Sequence, residues 1–192
     1  MEELEKSFFI FPQVEVEIED FDYEGYILDI GGGGEGVIGQ LKGEDVIAVD
    51  IRMEELEQAP DGPLKIVMDA RELQFLDESF STVTAFFALM YVRRREDQMK
   101  ILAEAWRVMK PNGTLYLWEI DLSNKPQTDK DLYLVRLLYK IGDEVNECGY
   151  GQRWPEELRG EKYYLTMAKE VGFREARIDR KKNTFYVKLI KN

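Results

Sequence analysis

Tyr26-Ile-Leu-Asp-Ile-Gly-Gly-Gly-Gly-Glu-Gly36 decides the reading of this chain. Tyr26, Ile27, Leu28 and Ile30 predict a buried strand in which only Asp29 is polar, and it runs straight into a glycine cluster. Val37, Ile38 and Leu41 follow as a short apolar face before Gly43, which predicts a helix. Glycine has no Cβ, so such a loop turns tightly and lets a ligand approach the backbone, and the helix start beyond it offers free N–H donors. Strand, loop and helix read together as a ligand cradle rather than a flexible turn. Gly31, Gly33 and Gly36 also satisfy the G-x-G-x-x-G spacing, a weak signal by itself.

The next segments narrow the ligand. Val46-Ile-Ala-Val-Asp50 predicts a second strand ending in a carboxylate, where an acid can accept both hydroxyls of a ribose. Leu64-Lys-Ile-Val-Met-Asp69 repeats the pattern, and Ala70-Arg-Glu-Leu-Gln-Phe-Leu-Asp-Glu-Ser-Phe80 leads into a fourth strand, Val83 to Phe87. A helix then precedes Arg107-Val-Met-Lys-Pro-Asn-Gly113 and a fifth strand, Thr114-Leu-Tyr-Leu-Trp-Glu119. In this order these residues resemble class I S-adenosylmethionine (SAM)-dependent methyltransferases, in particular the small-molecule "methyltransferase type 11" group. The resemblance spans roughly residues 26–119, with a weaker echo from 154 onward. It implies a Rossmann-like three-layer α/β/α sandwich of about seven strands, in the family's order 3-2-1-4-5-7-6, mostly parallel with an antiparallel C-terminal strand.

The resemblance also implies site residues. Asp29, Gly31, Gly32 and Gly33 would lie against the methionine end of SAM, Asp50 would take the ribose hydroxyls, and Ile51 would pack on adenine. Asp69 with Ala70 would address the adenine amine and edge, and Phe87 would border the cofactor at the exit of strand four. Asp50 also fits a helix N-cap for Arg52 to Gln58, and Asp77 reads as part of a turn. In Phe87-Ala-Leu-Met-Tyr-Val92, Met90 stands where the family often carries a histidine near the substrate. Tyr91 and Glu119 are the remaining polar candidates for catalysis. Arg93-Arg94-Arg95, ahead of a helix start, would either recruit a carboxylate- or phosphate-bearing substrate or pair with neighbouring acids. Tyr133, Arg136, Tyr139, Tyr150 and Trp154 are further candidates for substrate contact.

Composition bounds the function. With 192 residues the chain predicts a single domain, and a formal charge of −12 argues against nucleic acid or an anionic membrane as partner. The absence of histidine excludes a Ser-His-Asp triad and a His-based zinc site, and no metal site is expected. A single cysteine, Cys148, excludes an internal disulfide and suits a reducing compartment. The acidic start Met1-Glu-Glu-Leu-Glu-Lys has no signal-peptide character, so a cytoplasmic protein is expected.

Residues 1–25 form an N-terminal arm in which Val14-Glu-Val-Glu-Ile18 alternates like a half-exposed strand. Residues 121–154 form an insertion expected to act as a mobile lid, starting as a polar linker and continuing as a helix with Leu134, Leu138, Ile141 and Val145 on one face. A second helix is expected from Trp154-Pro-Glu-Glu157 to Gly172, then a hairpin of Arg174–Asp179 and Thr184–Ile190. These features imply SAM-dependent methyl transfer to a small-molecule acceptor. An NAD-dependent oxidoreductase, which shares the glycine and Asp50 pattern, and a non-catalytic SAM-binding protein are the alternatives.

Overall fold

The computed structural model describes residues 6–192; most of the acidic start, residues 1–5, lies outside the described residues. The chain opens with β1 (Phe8–Ile10) and β2 (Val14–Glu17), then runs β3 (Ile27–Ile30), α1 (Val37–Lys42), β4 (Val46–Asp50), α2 (Met53–Gln58) and β5 (Leu64–Val67). It continues with β6 (Phe80–Phe86), α3 (Arg95–Val108), β7 (Met109–Ile120), β8 (Leu132–Ile141), β9 (Glu144–Arg153), α4 (Glu161–Val171), β10 (Phe173–Lys181) and β11 (Thr184–Lys191). The large sheet has the order β10-β11-β7-β6-β3-β4-β5. Strands β3 to β7 pair in parallel, and β11 returns antiparallel to β7 with β10 antiparallel beyond it. This is the order that the resemblance implies.

Period-two alternation splits the core between the faces of this sheet. Along β7, Tyr116, Trp118 and Ile120 face one side with Ile27, Val37 and Leu56. Leu115 and Leu117 face the other side with Leu102 and Ala105 of α3 and Met167 of α4. Tyr26, assigned above to the buried strand, is 59% exposed and precedes β3.

The insertion departs from expectation. Residues 132–153 form a β-hairpin, not a helix, with Ile141 opposite Glu144 across Gly142 and Asp143. Leu-Tyr-Leu-Val-Arg-Leu-Leu-Tyr-Lys-Ile is apolar at both periods, but Tyr133, Val135, Leu137 and Tyr139 are the buried set, the alternation of a strand. Gly142 at φ +59, and Gly149 and Gly151 inside β9, are the residues that disfavour a helix here. β1 pairs with Leu132–Leu134 and β2 with Leu137–Lys140, while β9 pairs along the whole of β8. A strand has two edges, so β1 and β2 share one, interrupted near Pro12, which has no N–H to give. This small sheet, with α1 and α2, covers one face of the large sheet, and α3 and α4 cover the other. On that first face the outer layer of the sandwich is therefore part helix and part sheet. The second predicted helix begins at Glu161 rather than near Pro155, because Arg159 is held extended in a bridge with Leu122. Gly172 ends it, donating to Ala168 and Lys169 carbonyls.

Arg107 explains the Arg-Val-Met-Lys-Pro-Asn-Gly run physically. Its Nε donates to Glu104 (2.8 Å), its Nη1 to the Phe75 carbonyl and Asp77 (2.9 and 2.6 Å), and its Nη2 to the Leu73 carbonyl and Glu104 (both 2.8 Å). All five N–H groups of the guanidinium are used, three on residues 73–77 ahead of β6 and two on Glu104, which itself accepts the Leu73 N–H, and Asp77 is the turn residue expected. Arg107→Lys, which cannot reproduce the fork, should destabilise the chain by ~2–3 kcal/mol in urea unfolding. A loss below ~0.5 kcal/mol would contradict this assignment.

Candidate functional site

β3 delivers Asp29 to the carboxyl edge of the large sheet with only 2% of its surface exposed. Thr84 Oγ1 on β6 donates to its Oδ1 at 2.6 Å. Burial pushes this carboxyl up to about 7, the Thr84 hydrogen bond pulls against that, and the charge of Asp50 adds to it. The glycine loop is tied to the end of β4, since Gly31 and Gly32 N–H both donate to the Val49 carbonyl (2.8 and 3.2 Å). Gly31 has φ +72, and a Cβ on it would lie 2.6 Å from Ala88 Cβ. A Cβ on Gly32 would lie 2.6 Å from Asp29 Oδ2, which places that oxygen directly beneath the loop.

Carboxylates ring this loop. Gly33 lies against Asp50 Oδ2 and Glu55, and Gly34 N–H donates to the Glu55 carbonyl (2.8 Å). Asp50 Oδ1 accepts the Arg52 N–H at 2.9 Å, so Asp50 closes a local turn; the N-cap position of α2 belongs to Arg52. Ile51 stands 60% exposed beside it. Glu35, inside the glycine cluster, accepts the Tyr150 hydroxyl at 2.9 Å. Tyr150 on β9 in turn stacks on Phe87 with centroids 5.4 Å apart. Glu35 and Glu55 were not among the residues singled out from sequence, whereas Tyr150 was expected at the substrate and not against the glycine loop. Glu35 had a signal, a charge within a run of glycines; its contact with Tyr150 had none, because that depends on the hairpin.

Asp69 lies just past β5, and Arg71 grips it with Nε to both carboxyl oxygens (3.0 Å each) and Nη2 to Oδ2 (2.6 Å). That grip holds the Asp69 carboxyl below its usual range. Ala70 is half-buried against the α3 side of the core.

At the exit of β6, Phe87 is buried at φ +50, a conformation a bulky side chain seldom adopts. Its N–H donates to the Trp118 carbonyl (2.9 Å). The strained turn carries Ala88 onto Gly31 and starts a 3₁₀ turn, Leu89–Tyr91. Glu119, with no exposed surface, accepts the Leu89 and Met90 N–H groups through Oε1 (2.7 and 3.2 Å), and its Oε2 has no partner. Burial pushes this carboxyl up to about 8, against the pull of those two N–H groups and of Arg159. Tyr91 is 42% exposed, its ring 6.4 Å from that of Tyr150, and its hydroxyl is pushed up by desolvation and then by Glu35 and Glu55.

Beyond this turn lies a cavity of about 580 Å³ whose lining includes Met90, Arg93, Tyr133, Trp154, Arg159 and Tyr163. Four of the residues expected at the substrate thus come together. Arg136 does not join them, since it pairs with Glu147 at 2.5 Å and lines neither of two cavities. The arginine triplet divides: Arg94 pairs with Asp97 (2.8 Å) and Arg95 with Glu170 (2.9 Å), while Arg93 makes no ion pair among the described residues. A larger cavity of about 630 Å³ lies over Tyr116, Trp118 and Tyr186 and reaches the site only at Phe87.

Among the described residues, no helix is long and apolar enough to cross a membrane. Residues 28–117 match the family model described as a methyltransferase domain. The ubiquinone/menaquinone biosynthesis C-methyltransferase UbiE of Dinoroseobacter shibae is 32% identical over 114 residues, covering 56% of this chain and 44% of that protein. The chain spans less than half the length of this and of a second curated relative, at 44% and 48%. A SAM-dependent methyltransferase from Methanosarcina mazei has a similar structure, with TM-score 0.63 and 23% identity over 89% of this chain and 94% of that one. The [4+2]-cyclase SpnF shares the fold at TM-score 0.62 and 15% identity, covering 88% and 76% of the two chains. The chain thus carries a match to a methyltransferase domain over residues 28–117 and shares the fold of SAM-dependent methyltransferases.

Proposed function

We propose that this chain transfers the methyl group of SAM to a small-molecule acceptor held beside the Leu89–Tyr91 turn. The observation that carries this reading is the ring of carboxylates around the glycine loop, formed by Asp29, Glu35, Asp50 and Glu55. SAM presents a sulfonium and an ammonium, both cations, which such a ring suits. A dinucleotide would instead bring its pyrophosphate over the same loop. Glu35 and Glu55 repel it, so the oxidoreductase alternative loses its support. Asp29 would hold the ammonium end, Asp50 Oδ2 the ribose hydroxyls, and Ile51 the adenine. Asp69 is the weakest of the expected contacts, because Arg71 already occupies both of its oxygens.

Residues 121–154 we read as the cover of the crevice. The inner face of β8 is buried, so mobility should concentrate in the polar linker and in the Tyr150 contact rather than in the whole insertion. The fold by itself does not decide the chemistry, since it also serves a cyclase.

Methyl transfer here needs position more than proton chemistry. The sulfonium is already an activated leaving group, and holding two reactants in line supplies ~7–11 kcal/mol in favourable cases. An acceptor that is already nucleophilic, such as a thiolate, a carboxylate or a free amine, requires no base. Glu119 has a proton affinity suited to neutral pH, contrary to the expectation from its unperturbed value, but its geometry is that of a clamp on Leu89 and Met90.

The reading is tested by incubating the protein with methyl-labelled SAM and a metabolite extract, then following label into products. A labelled small molecule is expected, and Glu119→Gln, which keeps an acceptor oxygen for both N–H groups, should lower kcat by less than ~10²-fold. Absence of any labelled product would contradict methyl transfer, and a loss of ~10⁴-fold in the variant would make Glu119 a general base.

A pH dependence follows from Asp29. Its folded-state value of about 7 lies above the ordinary 3.8, so the free folded chain holds this proton more tightly than the unfolded chain does. The stability that this proton contributes is therefore present at low pH and lost as pH rises toward about 7. A cationic ligand prefers the ionised form, so SAM affinity should rise from about pH 5.5 to about pH 7, below the range where an α-amino group titrates. Calorimetry should find the slope flattened in Asp29→Asn; an equal slope in the variant would exclude Asp29 as its source.

A further inference from the structure

We propose that the 580 Å³ cavity beyond the Leu89–Tyr91 turn binds an organic acid, with Arg159 as the partner of its carboxylate. This assignment rests on the methyltransferase reading only in making that acid the methyl acceptor.

Arg159 is 5% exposed. Its Nη1 donates to the Val92 carbonyl at 2.8 Å and its Nη2 to the Arg93 carbonyl, while its Nε is buried without a partner. Among the described residues no carboxylate oxygen lies within 4.0 Å of it. Carbonyl oxygens satisfy donors but do not cancel a charge, and an uncompensated buried guanidinium is costly. The buried acid that feels it, Glu119, uses Oε1 on Leu89 and Met90. Asp97 on the rim is taken by Arg94 and Arg71. The backbone of Arg159 is also fixed, its carbonyl accepting the Leu122 N–H at 2.7 Å.

A second orphan has the same polarity. Trp154 Nε1, on the cavity wall, is buried and has no acceptor. Among the described residues Arg93 and Arg153 on the rim make no ion pair, and neither do the exposed rim acids Glu96, Glu156 and Glu157. The buried unmatched atoms of this cavity are both donors, Arg159 Nε and Trp154 Nε1, in a chain whose net charge is −12. Its walls are aromatic, with Tyr133 and Trp154 5.0 Å apart by centroid and Tyr163 and Tyr164 5.2 Å apart. Such walls fit a flat or apolar body, and a cavity in the ~300–1,000 Å³ range suits a small molecule. A carboxylate on an apolar body meets all of these features; free phosphate uses only the charges.

The probes are 3-phenylpropanoate, its amide and inorganic phosphate, titrated by protein NMR into the intact chain, with SAM affinity measured separately by calorimetry. The acid should bind at least about tenfold more tightly than the amide, as expected for a charge-assisted pair. Arg159→Gln should erase this preference and leave SAM affinity unchanged. Because Arg159 also holds the Val92 and Arg93 carbonyls, a double variant, Arg93→Gln with Arg153→Gln, tests the rim without touching that hold and should reduce the preference several-fold. The proposal is overturned if acid and amide bind alike, if the preference survives Arg159→Gln, or if phosphate competes as well as the acid. Should Arg159→Gln not fold, an undiminished preference in the double variant overturns it. SAM binding without acid preference refutes this site alone, whereas acid preference without SAM binding refutes the methyltransferase reading and keeps the site.

Discussion

Glu119 accepts two backbone N–H groups, from Leu89 and Met90, in a place with no access to water, and the layout of the site follows from that contact. Orphaned there, each N–H costs ~1–3 kcal/mol, so the carboxyl decides where the chain goes after β6. Phe87 at φ +50 makes the bend, Ala88 then meets Gly31, and the 3₁₀ turn divides the glycine crevice from the 580 Å³ cavity. A carboxyl retained for this purpose keeps a raised proton affinity as a by-product of burial, which is why geometry and not pKa identifies its role.

The same turn separates two surroundings of different charge within a short distance. On the crevice side, Asp29, Glu35, Asp50 and Glu55 gather negative charge around backbone that only glycine can supply. On the cavity side the buried charge is Arg159, whose Nε has no partner, while the rim carries both arginines and the exposed Glu96, Glu156 and Glu157. The buried charges, though not the rim, differ in sign across one bend of backbone. The match to a methyltransferase domain covers residues 28–117, which build the crevice, and the cavity is largely built by residues outside that range.

What was legible in the sequence follows the same division. Strands whose residues are apolar on both faces, such as Ile27-Leu28 and Val46 to Val49, could be read directly, and so could Gly31 and Asp50 at their ends. The β8–β9 hairpin could not be read from its apolar spacing, since residues 132–141 satisfy a helical and a strand period equally. Its pairing with β1 and β2 is a contact between segments more than a hundred residues apart, as Phe8 with Leu132 illustrates. The Tyr150–Glu35 contact and the place of Arg159 depend on that hairpin and on the Leu122 bridge, so no local pattern marks either. Tyr133 and Trp154 were legible as aromatic residues in the insertion, but their role as facing walls was not.

The account turns on whether the glycine crevice takes SAM. Calorimetric titration of the chain and of Gly31→Val with SAM and with NAD addresses this most directly. The expected result is one SAM site in the parent chain, lost in the variant because a side chain at φ +72 collides with Ala88, and no binding of NAD. Binding of NAD in place of SAM, or SAM affinity unchanged in a folded Gly31→Val, would contradict it.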